Sequence, residues 1–241
     1  MTGWLAPAGI AAAYAIGLFL VSLTSAGEFL PALFQGAWVT IQITVAAALL
    51  ALAMGFLAGL GKLSPIAAVR WIAIAYVEVF RGTSALVQLF WLFYVLPHFG
   101  LTLDPMPVGI LALGLNVGAY GAEVVRGSIL AVPKGQYEAA TALNMSRRQI
   151  LWRIVVPQAV LSMVPPWGNL FIELLKATAL VSLITIGDLA FRAYQLNQVT
   201  FRTVEIFTLV LFFYLAVALV ITWMMRGLER WLSRGLARGR G

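Results

Sequence analysis

Residues 133–158 read PKGQYEAATALNMSRRQILWRIVVPQ. Five charges, on Lys134, Glu138, Arg147, Arg148 and Arg153, interrupt a chain that is otherwise strongly apolar. Pro133 can open a helix, and Gly135 loosens its first turn. From Gln136 to Leu143 every residue except Thr141 is a good helix former, and Asn144 then interrupts the run. Ser146 and Gln149 have the spacing of a capping box, so a second helix is expected to start there and run toward the next apolar segment. Ala139, Ala140 and Ala142 keep the first helix narrow enough to enter a groove on a partner protein. Such a helix can pass a partner's rigid-body motion to the segments on either side of it. An ordinary water-exposed connection between membrane spans is the other reading of the same residues.

Membrane spans follow from composition. Of 241 residues, 62% are hydrophobic and 10% are charged, whereas soluble domains carry charge on about a quarter of their residues. The chain therefore reads as an all-α polytopic membrane protein. It contains no cysteine, which excludes disulfides, thiol chemistry and cysteine-held metals. His98 is the single histidine, so no histidine cluster can form. It falls just past Pro97, at the end of a span, where a surface position is expected. No catalytic, cofactor-binding or metal-ligating constellation is present.

Charge-free runs occupy Leu5 to Leu23, Ala37 to Leu60, Met106 to Ala122, Ile154 to Ile172 and Ile206 to Met225. Trp71 to Leu96 is a further span, interrupted by Glu78 and Arg81. Each is long enough to cross about 30 Å of hydrocarbon, giving about six transmembrane helices. With the N-terminus inside, Lys62, Arg70, Arg126, Lys134, Arg147, Arg148, Arg153, Arg226, Arg230, Arg234, Arg238 and Arg240 are cytoplasmic. That is 12 of the 16 basic residues. The bias puts both termini in the cytoplasm and accounts for the formal charge of +7 without nucleic acid.

Residues 1–28 are read as an additional N-terminal span. A signal peptide is the alternative there, but the segment lacks a basic start and SLTSAG is a poor cleavage site. Residues 29–227 form the main transmembrane domain, with the charged loop at 133–153, and 228–241 form a basic cytoplasmic tail suited to anionic headgroups. Pro31 to Trp38 is expected to be a short interfacial lead-in. The helix that follows is rich in alanine and glycine, which favours close contact with neighbouring helices. No internal repeat, linker or second domain is evident.

Ionised side chains within spans need a partner or a wet cavity. Glu78 and Arg81 are three apart and can pair with each other, and Gly82-Thr83 suggests a local break. Gln88 lies seven residues beyond Arg81, on about the same face. Glu123 and Arg126 repeat the three-residue spacing and suit a structural ion pair. Pro165-Pro166 is expected to break the fifth span. Asn169, Glu173 and Lys176 follow on one helix face, with Thr178 just beyond. Broken polar helices build midplane solute sites, and Lys176 with Glu173 could serve the carboxylate and the cation of a zwitterion. An ion pair between Glu173 and Lys176 that merely holds the helix remains the alternative.

EAATALNMSRRQILWRIVVP resembles the EAA loop of permease subunits in bacterial ATP-driven importers. Glu138, Ala139 and Ala140 match its opening, while Ile154 and Pro157 match its close. Val156 stands where the family has leucine. Asn144 stands where it has glycine, and asparagine tolerates the left-handed backbone that glycine would supply. YVEVFRGTSALVQLFWLFYVLP (76–97), GAYGAEVVRGSILAVPKGQYEAA (118–140) and NLFIELLKATALVSLITIGDL (169–189) are similar to segments of polar amino acid uptake permeases. RGTS replaces the family's Arg-Gly-Thr-Pro, which makes a sharp kink less expected.

The resemblance implies a type I ABC importer permease fold, covering about Ala32 to Trp231, in a bacterial cytoplasmic membrane. Its implied partners are a second related permease subunit, giving a heterodimer, a cytoplasmic ATPase dimer and an external solute-binding protein. The permease binds no cofactor, since ATP and magnesium belong to the ATPase. Glu138, Ala139, Ala140 and Asn144 are the implied ATPase-coupling residues. Arg81, Gln88, Asn169, Glu173, Lys176 and Thr178 are the candidate passage residues.

Ala177 and Ala179 replace the family's acidic residue and serine. With the wording VEVFRGTSALVQLFWLFYVLP, they resemble permeases for the compact zwitterions ectoine and hydroxyectoine. Glutamine, glutamate or a basic amino acid is the alternative solute. An ion-coupled secondary transporter would need a second inverted half or a coupling-ion site, and neither is evident. A membrane scaffold or enzyme subunit would leave the charged loop and the polar helix without a shared explanation.

Overall fold

The structure, a computed structural model, describes residues 25–238 together with Gly9, Ile16, Gly17 and Leu20. The expected first span, Leu5 to Leu23, otherwise lies outside the described residues, as does the end of the basic tail beyond Arg238. Among the described residues the fold is all-helical. A 3-10 turn, Ser25–Phe29, leads into α1, Leu30–Lys62. Next come α2, Ala67–Gly82, and α3, Ala85–Phe90, which continues through a π turn, Trp91–Val95, and a 3-10 turn, Leu96–Phe99. Helix α4 covers Pro105–Leu130, and α5 covers Lys134–Ala142. A single turn, α6, Arg147–Ile150, passes through a π turn, Leu151–Val155, into α7, Val156–Ala177. A 3-10 segment, Thr178–Ile184, precedes α8, Leu189–Thr200, and α9, Thr203–Arg238, ends the described chain.

Four helical stretches are long and apolar enough to cross a membrane: Gly27–Lys62, Pro105–Leu130, Arg147–Ile184 and Thr203–Ser233. The pair Ala67–Gly82 and Ala85–Phe99, bent by 103°, supplies a fifth if taken as one span. All five coincide with apolar runs of the sequence. Pro31 lies in the first turn of α1, so Pro31 to Trp38 begins that helix and is not a separate lead-in.

Helices α1 and α4 form the spine, and their small residues are the reason they can approach. A Cβ added at Gly59 would lie 2.8 Å from the Ala122 carbonyl oxygen, and one at Gly114 would lie 3.1 Å from that of Ala47. Lipid supplies no hydrophobic drive for such contact, so backbone-to-backbone packing has to provide it. Trp167 of α7 enters this crossing with its ring against both Gly55 and Gly121. Around it, Ile43, Ala47, Ala51, Leu113, Val117, Val125, Met163 and Leu174 complete the main core.

A second cluster joins the start of α1 to α8 and α9 through Phe29, Leu33, Leu189, Ala193, Ile206 and Leu209. Asp188 sits fully buried beside it and caps α8, accepting a hydrogen bond from the Phe191 amide at 2.9 Å. Thr40 of α1 accepts from the next amide, Leu189, at 3.1 Å. Burial pushes the Asp188 carboxyl up to about 6, although backbone amides work against that rise.

The expected break at Pro165-Pro166 is not found. Helix α7 runs through both prolines to Ala177. The two missing amides remove two backbone hydrogen bonds, but Met163, Val164, Trp167 and Gly168 are buried on either side and the helix continues through them. Irregular backbone occurs at the two ends instead, in the π turn before Pro157 and in the 3-10 segment after Ala177.

Candidate functional site

Sequence places Glu138, Ala139, Ala140 and Asn144 in one short loop, and the backbone gives that loop a fixed shape. Asn144 has φ +58, the left-handed conformation that asparagine tolerates. The Met145 amide donates to the Ala140 carbonyl at 3.1 Å and the Asn144 amide to Thr141 at 2.9 Å. These two bonds form a Schellman ending with Asn144 in the position usually held by glycine. The next helix opens with the expected box: Gln149 N donates to Ser146 Oγ at 3.4 Å, and Ser146 N donates to Gln149 Oε1 at 2.8 Å.

Only one face of α5 is covered. Ala140 is buried with Val132, Ile150 and Val155, while Glu138, Ala139, Ala142 and Leu143 are exposed. Leu143 is 76% exposed beyond the membrane spans. A second tie was not anticipated from sequence. Gln158 of α7 donates through Nε2 to Gln136 Oε1 of α5, and the same nitrogen donates to the Ile154 carbonyl at 2.9 Å.

At the same ends of α1, α2 and α4, five charged side chains meet. Glu123 pairs with Lys62 and, at 2.9 Å, with Arg126, while Arg81 lies 3.9 Å away. Glu78 reaches Lys62 at 4.0 Å. The expected Glu78–Arg81 pair is therefore replaced by contacts that join three helices. The expected Glu123–Arg126 pair is present as the centre of a larger knot. Three cations face two carboxylates, leaving one positive charge in excess, and the Arg81 guanidinium also lies 5.3 Å from the Tyr120 ring centre. Lys62 had stood out only as a basic loop residue, because its partners are 16 and 61 residues away in sequence.

The bend between α2 and α3 occurs at Thr83-Ser84 without a proline. Its freed carbonyls are satisfied by side chains. Thr83 Oγ1 donates to Val79 O at 2.8 Å. Gln88 Nε2 lies 2.9 Å from Phe80 O and 2.6 Å from Thr83 Oγ1, and Asn116 Nδ2 of α4 donates to Phe80 O at 2.9 Å. Asn116 also donates to Gln88 Oε1 at 3.2 Å. Gln88 is thus buried as a brace for the elbow. Asn116, a lone polar residue in an apolar run, was the available signal for its partner.

The α7 face carries Asn169, Glu173 and Lys176, all exposed. No hydrogen bond or ion pair joins Glu173 to Lys176 among the described residues. Asn169 and Lys176 are seven residues apart, so the face extends about 10 Å. Lys176 lies in the last turn of α7, where the helix dipole favours a cation. Thr178 does not join this face. It is fully buried, and its hydroxyl donates to the Leu175 carbonyl at 2.7 Å. Among the described residues, no group of three or more acidic or histidine side chains could hold a metal ion.

Residues 51–234 match the family described as binding-protein-dependent transport system inner membrane component. The chain is 49% identical over 213 residues to the probable amino-acid ABC transporter permease protein y4tF of Sinorhizobium fredii, covering 86% of this chain and 90% of that one. It is 36% identical over 212 residues to the L-cystine transport system permease protein TcyB of Bacillus subtilis, covering 88% and 91%. A crystal structure of an amino acid ABC transporter with histidines superposes with a TM-score of 0.79 at 34% identity, covering 84% of this chain and 95% of that one. The chain therefore belongs to the binding-protein-dependent transport system inner membrane component family, and it is a membrane-spanning, non-catalytic permease subunit of an ABC importer for a small polar solute.

Proposed function

We propose that this permease imports a polar amino acid by alternating access. The observation that carries this reading is the exposed Asn169–Glu173–Lys176 face on an otherwise apolar span. An ionised side chain at mid-bilayer costs about 2.5 to 3.5 kcal/mol on insertion scales, so such a face belongs against a passage shared with a second permease. Lys176 would meet the solute's carboxylate and Glu173 its ammonium group. Arg81 lies at the charged end of the same route, while Gln88 and Thr178 support its walls from within. Amino-acid transport in the names of the similar proteins favours this solute class.

ATP-driven closure of a cytoplasmic ATPase dimer would act on Glu138, Ala139, Ala140 and the Asn144 turn, with both termini of the permease in the cytoplasm. The second permease is a related, unlike subunit, and a solute-binding protein delivers the cargo from outside. Uptake of labelled glutamine, arginine and ectoine by the reconstituted importer tests the solute. Uptake of glutamine or arginine and not of ectoine is expected. Exclusive uptake of ectoine or hydroxyectoine would establish the second reading, which rests on Ala177, Ala179 and the wording of residues 77–97. Lys176→Ala and Glu173→Ala should each lower uptake with ATPase assembly intact. Normal affinity and transport in both would refute the passage assignment.

A further inference from the structure

We propose that Gln136 and Gln158 form the positioning contact through which movement of α5 becomes movement of α7. This rests on the reading that α5 docks on the ATPase. Among the described residues, helix α5 has two kinds of contact with the membrane portion of its own chain, besides the short connections at its ends. One is the apolar patch of Val132, Ala140, Ile150 and Val155, bordered by Tyr137, Met145 and Ile154. Apolar contact is non-directional, so it holds the helix down without fixing its rotation or its sliding. The other is the amide pair, which is directional.

The position of Gln158 gives the pair its consequence. Pro157 has no amide hydrogen, and the preceding residues Leu151–Val155 form a π turn, so this elbow lacks regular helical bonding. Gln158 Nε2 has two hydrogens. One goes to the Ile154 carbonyl inside the elbow and the other to Gln136 on α5. A single side chain therefore fixes both the geometry of the elbow and its attachment to the docking helix. Beyond Gln158, α7 is unbroken to Ala177 and carries the Asn169–Glu173–Lys176 face. A rotation imposed on α5 thus reaches that face through a rigid element, where without the amide bond the apolar patch would allow slip.

The test uses Ser162→Cys, exposed on α7, in a chain that has no native cysteine. The rate of labelling by a water-soluble maleimide is compared between the nucleotide-free and the ATP–vanadate-trapped importer in nanodiscs. In the Ser162→Cys parent the two states should differ. Gln136→Leu should shrink that difference about fivefold, the loss expected for one hydrogen bond, and Gln158→Leu, which also frees the Ile154 carbonyl, at least as much, while ATPase copurification and vanadate trapping persist. Their combination should do no more than Gln158→Leu alone. Gln136→Glu with Gln158→Lys, which replaces the amide bond by an ion pair and keeps a donor for the Ile154 carbonyl, should restore the difference. A full difference in both leucine variants overturns the proposal. A parent without any difference refutes alternating access itself and the relay with it, a failure separable from the first because it precedes the substitutions.

Discussion

Gly121→Ala adds one methyl group at the tightest point of the fold. Its Cβ would lie 2.2 Å from Cη2 and 2.6 Å from Cζ2 of Trp167, well inside van der Waals contact. On its other side the indole packs against α1, where a Cβ added at Gly55 would lie 2.8 Å from the same Cη2 atom. Phe171 closes another side, its ring centre 5.4 Å away, and Trp167 is only 3% exposed. Overpacking of this kind costs about 1 to 3 kcal/mol. For a chain of this size, each kcal/mol lowers the unfolding midpoint by roughly 2 to 4 °C. Loss of the monodisperse size-exclusion peak after heating should therefore occur several degrees lower in Gly121→Ala than in the parent. Trp167→Phe removes the ring atoms that clash. It should be destabilising alone, yet it should relieve much of the Gly121→Ala defect. An unchanged midpoint for Gly121→Ala, or strictly additive losses in the double variant, would refute the wedge between α1 and α4.

Glu123→Gln should be costlier than loss of a surface ion pair, which contributes about 0 to 1 kcal/mol, because it leaves Lys62, Arg126 and Arg81 without their common partner. Its thermal midpoint should fall by several degrees, and salt should rescue it only partly. Asp188→Asn keeps the helix cap and removes a buried charge. With 3.8 for the unfolded chain and about 6 for the folded one, stability falls as pH rises between those values and the full cost persists above 6. The variant should therefore match the parent near pH 4 and exceed it at pH 7 to 8, by at most about 3 kcal/mol, in thermal unfolding across pH. Asn144→Gly should preserve assembly with the ATPase, whereas Asn144→Val should weaken it, since a β-branched residue at φ +58 costs about 1 to 2 kcal/mol in backbone strain. Copurification of the ATPase reads this out.

Properties set within a few residues were legible in the sequence. Composition established a membrane protein; uninterrupted apolar runs located four of the described spans, and the run interrupted by Glu78 and Arg81 located the bent fifth. Alanine runs, Asn144 and the Ser146–Gln149 box specified the charged loop, because helix propensity, backbone sterics and capping all act within one or two turns. The bend after Gly82 was visible as a weak point, although its 103° angle was not.

Tertiary structure decided what depends on residues far apart in the chain. Glu78 and Arg81 have the spacing of a pair, yet Lys62 and Glu123 lie close enough to take them. Gln88 shares a helical repeat with Arg81, yet the broken ends of α2 and the amide of Asn116 draw it inward. Two consecutive prolines argue for a break, yet α7 continues through them between buried neighbours. In each case local geometry offers several partners of similar energy, and only the packing of the other helices determines which one is within reach.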